Sequence, residues 1–344
     1  MAYTHFRYIA YQVPTVGQTV GGNAIYGIPA GNITNAPTLL GDTGSLSNDA
    51  RTRVERFIKV MYAAADRIYL EDNAQTLKIF MAPEFYFRPD NVDVSYSMQE
   101  YRAIKDVLRN TISEFFPNWL VIPGTIMWKW DQNTVKRPNP LNQDVYFNTS
   151  LYIYKKLFQQ STGKVIEKAQ ASVIDGIPTG RHGNPQDSGG LATNELFIGK
   201  YQTLPKKQKH KFVINGIICG LEICLEHDLY ANGLLNSLAN SRDPNNGIQL
   251  HLLTTGGMPI QPQSVATRPG GYILRTDGYS DPPQVHCRRV ANYRSGSAKL
   301  YNTTLKSSIP LTGDLNMQEP TNADASDWNA TPQKIQIYER CPIP

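Results

Sequence analysis

The stretch Phe212-Val-Ile-Asn-Gly-Ile-Ile-Cys-Gly-Leu-Glu-Ile-Cys-Leu-Glu-His-Asp228 constrains this chain more than any other. The apolar run Ile217 to Ile223 reads as a buried strand that runs straight into Cys224. Glu226, His227 and Asp228 follow, and then a helical pattern from Leu229 to Leu238. A thiol between a buried strand and a helix sits where backbone N–H groups and the helix dipole can hold a thiolate and a developing oxyanion. Cys219, inside the same strand, reads as a small core residue.

A second segment has the same form. Leu77-Lys-Ile-Phe-Met-Ala-Pro-Glu-Phe-Tyr-Phe-Arg88 is a short apolar strand that stops abruptly at Pro83-Glu84. The Glu84 carboxylate lies among Phe85, Tyr86 and Phe87, surroundings that disfavour its charge and suit a general base. Taken singly, Cys224 reads as a core residue and Glu84 as a solvated loop carboxylate. The pair is what points to chemistry.

Strand and helix patterns alternate along the chain. Strands are expected at 6–13, 77–83, 119–128, 145–155, 164–168, 248–255, 284–292 and 334–340. Helices are expected at 47–72, at Met98 to Phe116 with Pro117 ending it, and at 228–241. Residues 14–46 and 307–332 read as irregular, and Asp175 to Lys211 as a long Gly- and Pro-rich insertion that shapes a pocket or rides on the surface. Alternation of this kind predicts an α/β fold with helices covering a sheet.

Composition narrows the function classes. No apolar run approaches the ~18–20 residues of a membrane span. The N-terminal residues read as a first strand and not as a secretion signal. The four cysteines form no CxxC pair and suit neither a zinc site nor a disulfide framework, so a reducing, cytoplasmic setting is expected; no metal or cofactor is expected for the reading given below. The formal net charge is +5. The basic run Lys206–Lys211 lacks interleaved aromatics, so no nucleic-acid partner is expected. His227 comes only three residues after Cys224, which does not suit a papain-like Cys–His pair.

Together the two segments resemble the nitrilase, or carbon–nitrogen hydrolase, superfamily. Ala82-Pro83-Glu84 is similar to its Pro-Glu motif, and Gly220-Leu-Glu-Ile-Cys-Leu-Glu226 to its nucleophile motif. Arg7–Gln12 resembles its first strand, Trp119–Thr125 the strand ending in glycine, and Asn148–Tyr154 with Gly163–Lys168 the hairpin that delivers its lysine. The resemblance covers residues 5 to 300 or so. It implies one domain over 1–344, with an atypical insertion at 175–211, a C-terminal extension from about 300, and a four-layer α-β-β-α sandwich.

The resemblance also implies roles. Cys224 is the nucleophile, Glu84 the base, and Lys168, favoured over Lys164, the oxyanion partner together with the Leu225 N–H. Glu195 is the candidate that orients the lysine, although its spacing from Lys168 is longer than the family's. Phe85, Tyr86, Glu222, Glu226 and His227 are candidate pocket residues. Strand alternation puts Glu222 on the face of Cys224, where it lines the site or pairs with an Arg or Lys. The implied activity is metal-independent hydrolysis of a small amide or N-acyl compound through a Cys thioester. A nitrilase and a catalytically retired interaction protein are the alternatives. A homodimer or larger homo-oligomer is expected, with 334–340 as a strand reaching the neighbour or staying on its own subunit.

Overall fold

The computed structural model describes residues 2–15, 18–20, 23–25, 46–69, 74–89, 95–130, 145–155, 162–167, 210–228, 241–279, 284–311 and 333–344. In chain order the elements are β1 (His5–Gln12), β2 (Gln18–Val20), β3 (Asn23–Ile25), α1 (Asn48–Ile68), β4 (Thr76–Met81), β5 (Tyr96–Ser97), α2 (Met98–Phe115), β6 (Trp119–Ile122), β7 (Thr125–Trp130), β8 (Val145–Tyr154) and β9 (Thr162–Glu167). There follow β10 (Lys211–Ile214), β11 (Ile217–Ile223), a 3-10 turn (Cys224–His227), β12 (Ile248–Thr255), β13 (Thr267–Asp277), β14 (Val285–Arg294), β15 (Ser297–Asn302), β16 (Leu305–Leu311), β17 (Gln333–Tyr338) and β18 (Cys341–Pro342).

Two helices form where the sequence favours them. Ser47 caps α1 by accepting the Ala50 N–H, and Asp49 in its first turn pairs with Arg53 at 2.9 Å. Ser97 and Glu100 make a reciprocal capping box on α2. Each cap is worth about 1 kcal/mol. Pro117 follows Phe116 and stops the helix. The apolar stripes Val54, Phe57, Ile58, Met61 and Tyr101, Ile104, Leu108, Ile112 pack on one face of the first sheet, against Ile9, Phe80 and Val121. No described helix is long and apolar enough to cross a membrane.

That first sheet runs β16-β17-β1-β4-β6-β8-β7-β5, with β18 beside β1 and β9 beside β8. Its centre, β1-β4-β6, is parallel, with α1 and α2 lying in the connections. The second sheet runs β10-β11-β12-β13-β14-β15, again with a parallel centre, β11-β12-β13. The other face of the first sheet meets the second sheet in a shared core. Phe6, Tyr8, Leu77, Ile79 and Leu120 come from one side, and Leu221, Ile223, Leu250, Leu252 and Leu274 from the other. The described residues therefore stack as helices, sheet, sheet. The expectation of a helix over 228–241, which would add a fourth layer, falls mostly on residues 229–240, outside the described ones.

Some expectations change: residues 18–20 and 23–25, within the stretch 14–46 expected to be irregular, pair as β2 and β3. Residues 307–311, expected to be irregular, belong to β16, a largely exposed strand held by backbone bonds to β17. Its solvent-facing residues leave no apolar period to read. The strand expected at 334–340 is β17, and it pairs with β1 and β16 of the same chain, the second of the two placements expected. The eleven residues of β13 gave no strand signal, because Pro269-Gly270-Gly271 look like a turn. Gly271 is needed there by close approach: a Cβ would stand 2.8 Å from the Gln249 carbonyl oxygen.

Candidate active site

The carboxyl ends of the parallel strands of both sheets converge, the usual location of ligand sites in open α/β sheets. After β1 the chain reaches Thr15, whose N–H donates to the Gly278 carbonyl at 2.7 Å and whose hydroxyl donates to the Glu84 carbonyl at 2.5 Å. Gly278 follows β13 and donates to the Thr255 carbonyl at the end of β12. The Thr254 hydroxyl donates to the Ala82 carbonyl at 3.0 Å, across the two sheets. Thr254 is the parallel partner of Ile223, the residue before Cys224. Glu84, two residues past Ala82, and Cys224 are thus brought to the same end of the sandwich.

Both sit at unusual backbone. Cys224 has φ +49 and Phe85, next to Glu84, has φ +63. A non-glycine residue in this region costs about 1–2 kcal/mol, and such strain gathers at functional sites. The Phe85 turn is held by its N–H bond to the Thr125 hydroxyl (2.8 Å). Gly124 packs on the turn from below. Its φ is +81, and a Cβ would lie 2.2 Å from the Pro83 carbonyl oxygen, so only glycine fits. This is the glycine that the sequence places at the end of the strand from Trp119.

Glu84 is fully buried, and Asn148 on β8 donates its amide to Oε1 at 2.9 Å. Glu167, the last residue of β9, stands opposite Thr149, next to Asn148. Lys168 comes next in the chain and, like Glu195, lies outside the described residues. Leu225 is the second residue of the 3-10 turn, whose leading N–H groups have no partner within the turn itself. Glu226 is buried and accepts the Ile223 N–H at 2.8 Å, bracing the turn. The Tyr86 ring packs on Phe57 and Tyr11 in the helix-side core, and its hydroxyl donates to the Arg53 carbonyl. Phe85 is buried with the Arg88 guanidinium over its ring.

Strand alternation fails at Cys224. The thiol lies with Leu221 and Ile223 in the core between the sheets, because its positive φ turns the chain where the strand ends. Glu222 stands on the opposite face, with His251. Its partners are histidines and not an Arg or Lys. Oε2 lies 2.6 Å from His227 Nδ1 and 2.7 Å from His251 Nε2, and all three side chains are buried. The Gln261 N–H donates to His227 Nε2 (3.1 Å), and the Ala266 N–H to His251 Nδ1 (3.2 Å). A ring nitrogen that accepts carries no proton. Both imidazoles are therefore neutral, with their single N–H aimed at Glu222.

This bonding bears on whether the three residues could hold a metal, since their ligand atoms lie within 4.8 Å of one another. Metal on His227 Nδ1 and His251 Nε2 would force a proton onto each far nitrogen, against a backbone N–H. The donor set fits a hydrogen-bonded carboxylate better than an ion. Burial opposes ionisation of Glu222, but His251 and His227 outweigh it and hold the carboxyl well below the usual carboxylate range. Burial, partly offset by Glu222, lowers the His227 pKa.

The lowered His227 value makes a prediction for stability. The unfolded imidazole takes a proton near pH 6.5, and the folded one only at lower pH. The unfolded state then binds more protons in that window, so stability is full above about pH 6.5 and is lost as pH falls towards the folded value. The slope is at most about 1.4 kcal/mol per pH unit for one group. His286, lowered to about 4 by burial and then by Arg288 and Arg275, acts in the same direction. Asp277, raised by burial, acts in the opposite direction; urea midpoints should fall between pH 7.5 and 5.5 in the wild type and fall less in His227→Leu, and an equal fall in both would reject the His227 contribution.

Arg275, Thr254, Thr15, Asn148 and His251 were not singled out from sequence. Arg275 is buried, pairs with Asp277 at 2.9 Å, and interacts electrostatically with Cys224. Its one sequence signal is a charge inside an apolar run, Tyr272-Ile-Leu-Arg275.

No protein-family model matches the chain, and no curated protein matches its sequence. Among solved structures, an amidase from Nesterenkonia sp. is similar at TM-score 0.39 and 12% identity, over 87% of this chain and 86% of that one. A cysteine-to-serine mutant of the Nesterenkonia AN1 amidase from the nitrilase superfamily has the same TM-score and identity, over 86% of each chain. A glutamine-dependent NAD(+) synthetase from Cytophaga hutchinsonii has TM-score 0.35 and 9% identity, over 87% of this chain and 41% of that one. Scores this low leave the functional reading to the residues themselves.

Proposed function

We propose that the chain is a thiol amidohydrolase of the carbon–nitrogen hydrolase superfamily, with the four-layer sandwich of that family. The observation that supports the reading is that two buried motif residues, Glu84 and Cys224, follow strands of facing sheets at the same end of the stack. A single hydrolytic cycle uses them in turn. Glu84 takes the Cys224 proton as the sulfur attacks the carbonyl carbon of an amide. The oxyanion is met by Lys168 and the Leu225 N–H; one such donor is typically worth ~2.7–4 kcal/mol of barrier. Glu84 gives its proton to the leaving nitrogen, and the amine departs from a Cys224 thioester. Glu84 then draws a proton from water, which attacks the thioester carbon; the C–S bond breaks, the acid is freed, and Glu84 returns the proton to the Cys224 sulfur. Arg275, which interacts electrostatically with Cys224, is a cation of the kind that activates a thiol. The β8–β9 pairing supports Lys168 in this role, since it brings the residue before it beside Thr149 and Asn148.

The test has two arms. The protein is assayed for ammonia or amine release on matched amides, N-acyl and carbamoyl compounds and nitriles. Separately, iodoacetamide labelling at neutral pH is mapped to each of the four free cysteines. Amide turnover with Cys224 labelled first is expected. Turnover of nitriles alone would make the protein a nitrilase. An inert Cys224 with no turnover would make it a retired member of the fold.

A further inference from the structure

We propose that His227, held by Glu222, is a positioning residue for the Cys224 nucleophile. The inference rests on the thiol amidohydrolase reading and adds to it a device that fixes the thiol. Cys224 stands at φ +49, a conformation that a cysteine does not keep without support from its surroundings. Strand β11 fixes the chain up to Ile223 through its pairing with β12. Cys224 itself opens a four-residue 3-10 turn that ends at His227.

The support comes from the far side of that turn. His227 Nδ1–H donates to Glu222 Oε2 at 2.6 Å, so a side-chain bond joins the residue two before Cys224 to the residue three after it. The backbone of Cys224 is enclosed in that ring. The ring is itself anchored. His251 on β12 donates to the same Glu222 oxygen at 2.7 Å, and the Gln261 N–H holds the second nitrogen of His227 at 3.1 Å. The imidazoles of His227 and His251 meet edge-on at 5.2 Å. Both nitrogens of His227 are thus used, and the ring cannot turn without breaking a buried bond.

The bonds also link the nucleophile turn to the segment after β12. Gln261 and Ala266 bind the two histidines, and Met258 in the same segment packs against the core that holds Cys224. Glu226, which accepts the Ile223 N–H at 2.8 Å, makes a second and shorter closure around Cys224. It braces the start of the turn, whereas His227 fixes its end.

The closing experiment compares His227→Leu, His227→Asn, His251→Leu and Glu222→Gln in the full chain. Asparagine keeps an N–H where Nδ1–H stands; leucine does not. Folding is checked by circular dichroism and urea titration. The readout is the second-order rate of Cys224 alkylation by iodoacetamide, followed by peptide mass, which needs no substrate. In folded protein, His227→Leu should slow alkylation about 10-fold or more, the scale of the thiolate lost when a thiol leaves surroundings that activate it. His227→Asn should restore most of the rate. His251→Leu should lower the urea midpoint yet leave the rate within severalfold, because His251 lies outside the ring around Cys224. Should His227→Leu not fold, Glu222→Gln serves, with an expected loss of about 10-fold. Wild-type alkylation in folded His227→Leu or Glu222→Gln would overturn the positioning role, as would His227→Asn being as slow as His227→Leu. Those failures leave the wild-type thiol reactive. An inert wild-type Cys224 is the different result that removes the amidohydrolase reading and the positioning role with it.

Discussion

Cys224→Ala should reduce turnover to background in a folded protein, while Cys219→Ala keeps most of the activity. The two thiols lie in one segment and are both buried, yet their settings differ. Cys219 is inside β11, paired with Leu250, and burial pushes its thiol far above the ordinary range, so it stays protonated and inert. Cys224 stands past the strand end on strained backbone, at the start of a turn and near Arg275. Replacing it removes the atom that would form the thioester, and no neighbour can substitute for it. Both variants are assayed on the best amide from the screen, with circular dichroism to check folding. Equal loss in both, or activity surviving in Cys224→Ala, would reject Cys224 as nucleophile.

Glu84→Gln should lower the rate by ~10²–10⁴, the range of general acid–base catalysis, with the fold retained. The amide keeps an oxygen for the Asn148 bond to Oε1 and fills the same space. It cannot take the thiol proton, give it to the leaving nitrogen or activate water. Since one group would serve all three steps, acylation and deacylation should both slow. A wild-type rate in this variant would mean that the carboxylate only fills its buried place. Asn148→Ala makes a useful comparison, because it leaves the carboxylate and removes its amide donor.

The sequence by itself determined the local units. Helix α1 was expected over 47–72 and spans Asn48–Ile68; α2 was expected to Phe116 and spans Met98–Phe115. Their apolar periods, caps and Pro117 are short-range signals, so they survive into the fold. The same holds for β4 and β11, whose apolar runs stop at Ala82-Pro83-Glu84 and at Cys224. Those stops are why both residues were legible as candidates. Strand β13 was not legible, since its glycines serve a close approach between chains that no local pattern records.

Only the tertiary structure decided what meets what. Thr15, Thr254 and Gly278 join segments some 70 to 260 residues apart around Glu84, and each is an ordinary polar or small residue in sequence. Alternation puts Glu222 on the face of Cys224, lining the site or paired with an Arg or Lys; it faces the other way and binds two histidines. Alternation holds while φ stays extended, and Cys224 at φ +49 breaks it at the one residue that matters. Periodicity reports which side of an element is buried. It carries no register between distant strands, because that is fixed by packing two sheets face to face, and the partners of buried polar groups follow from the packing.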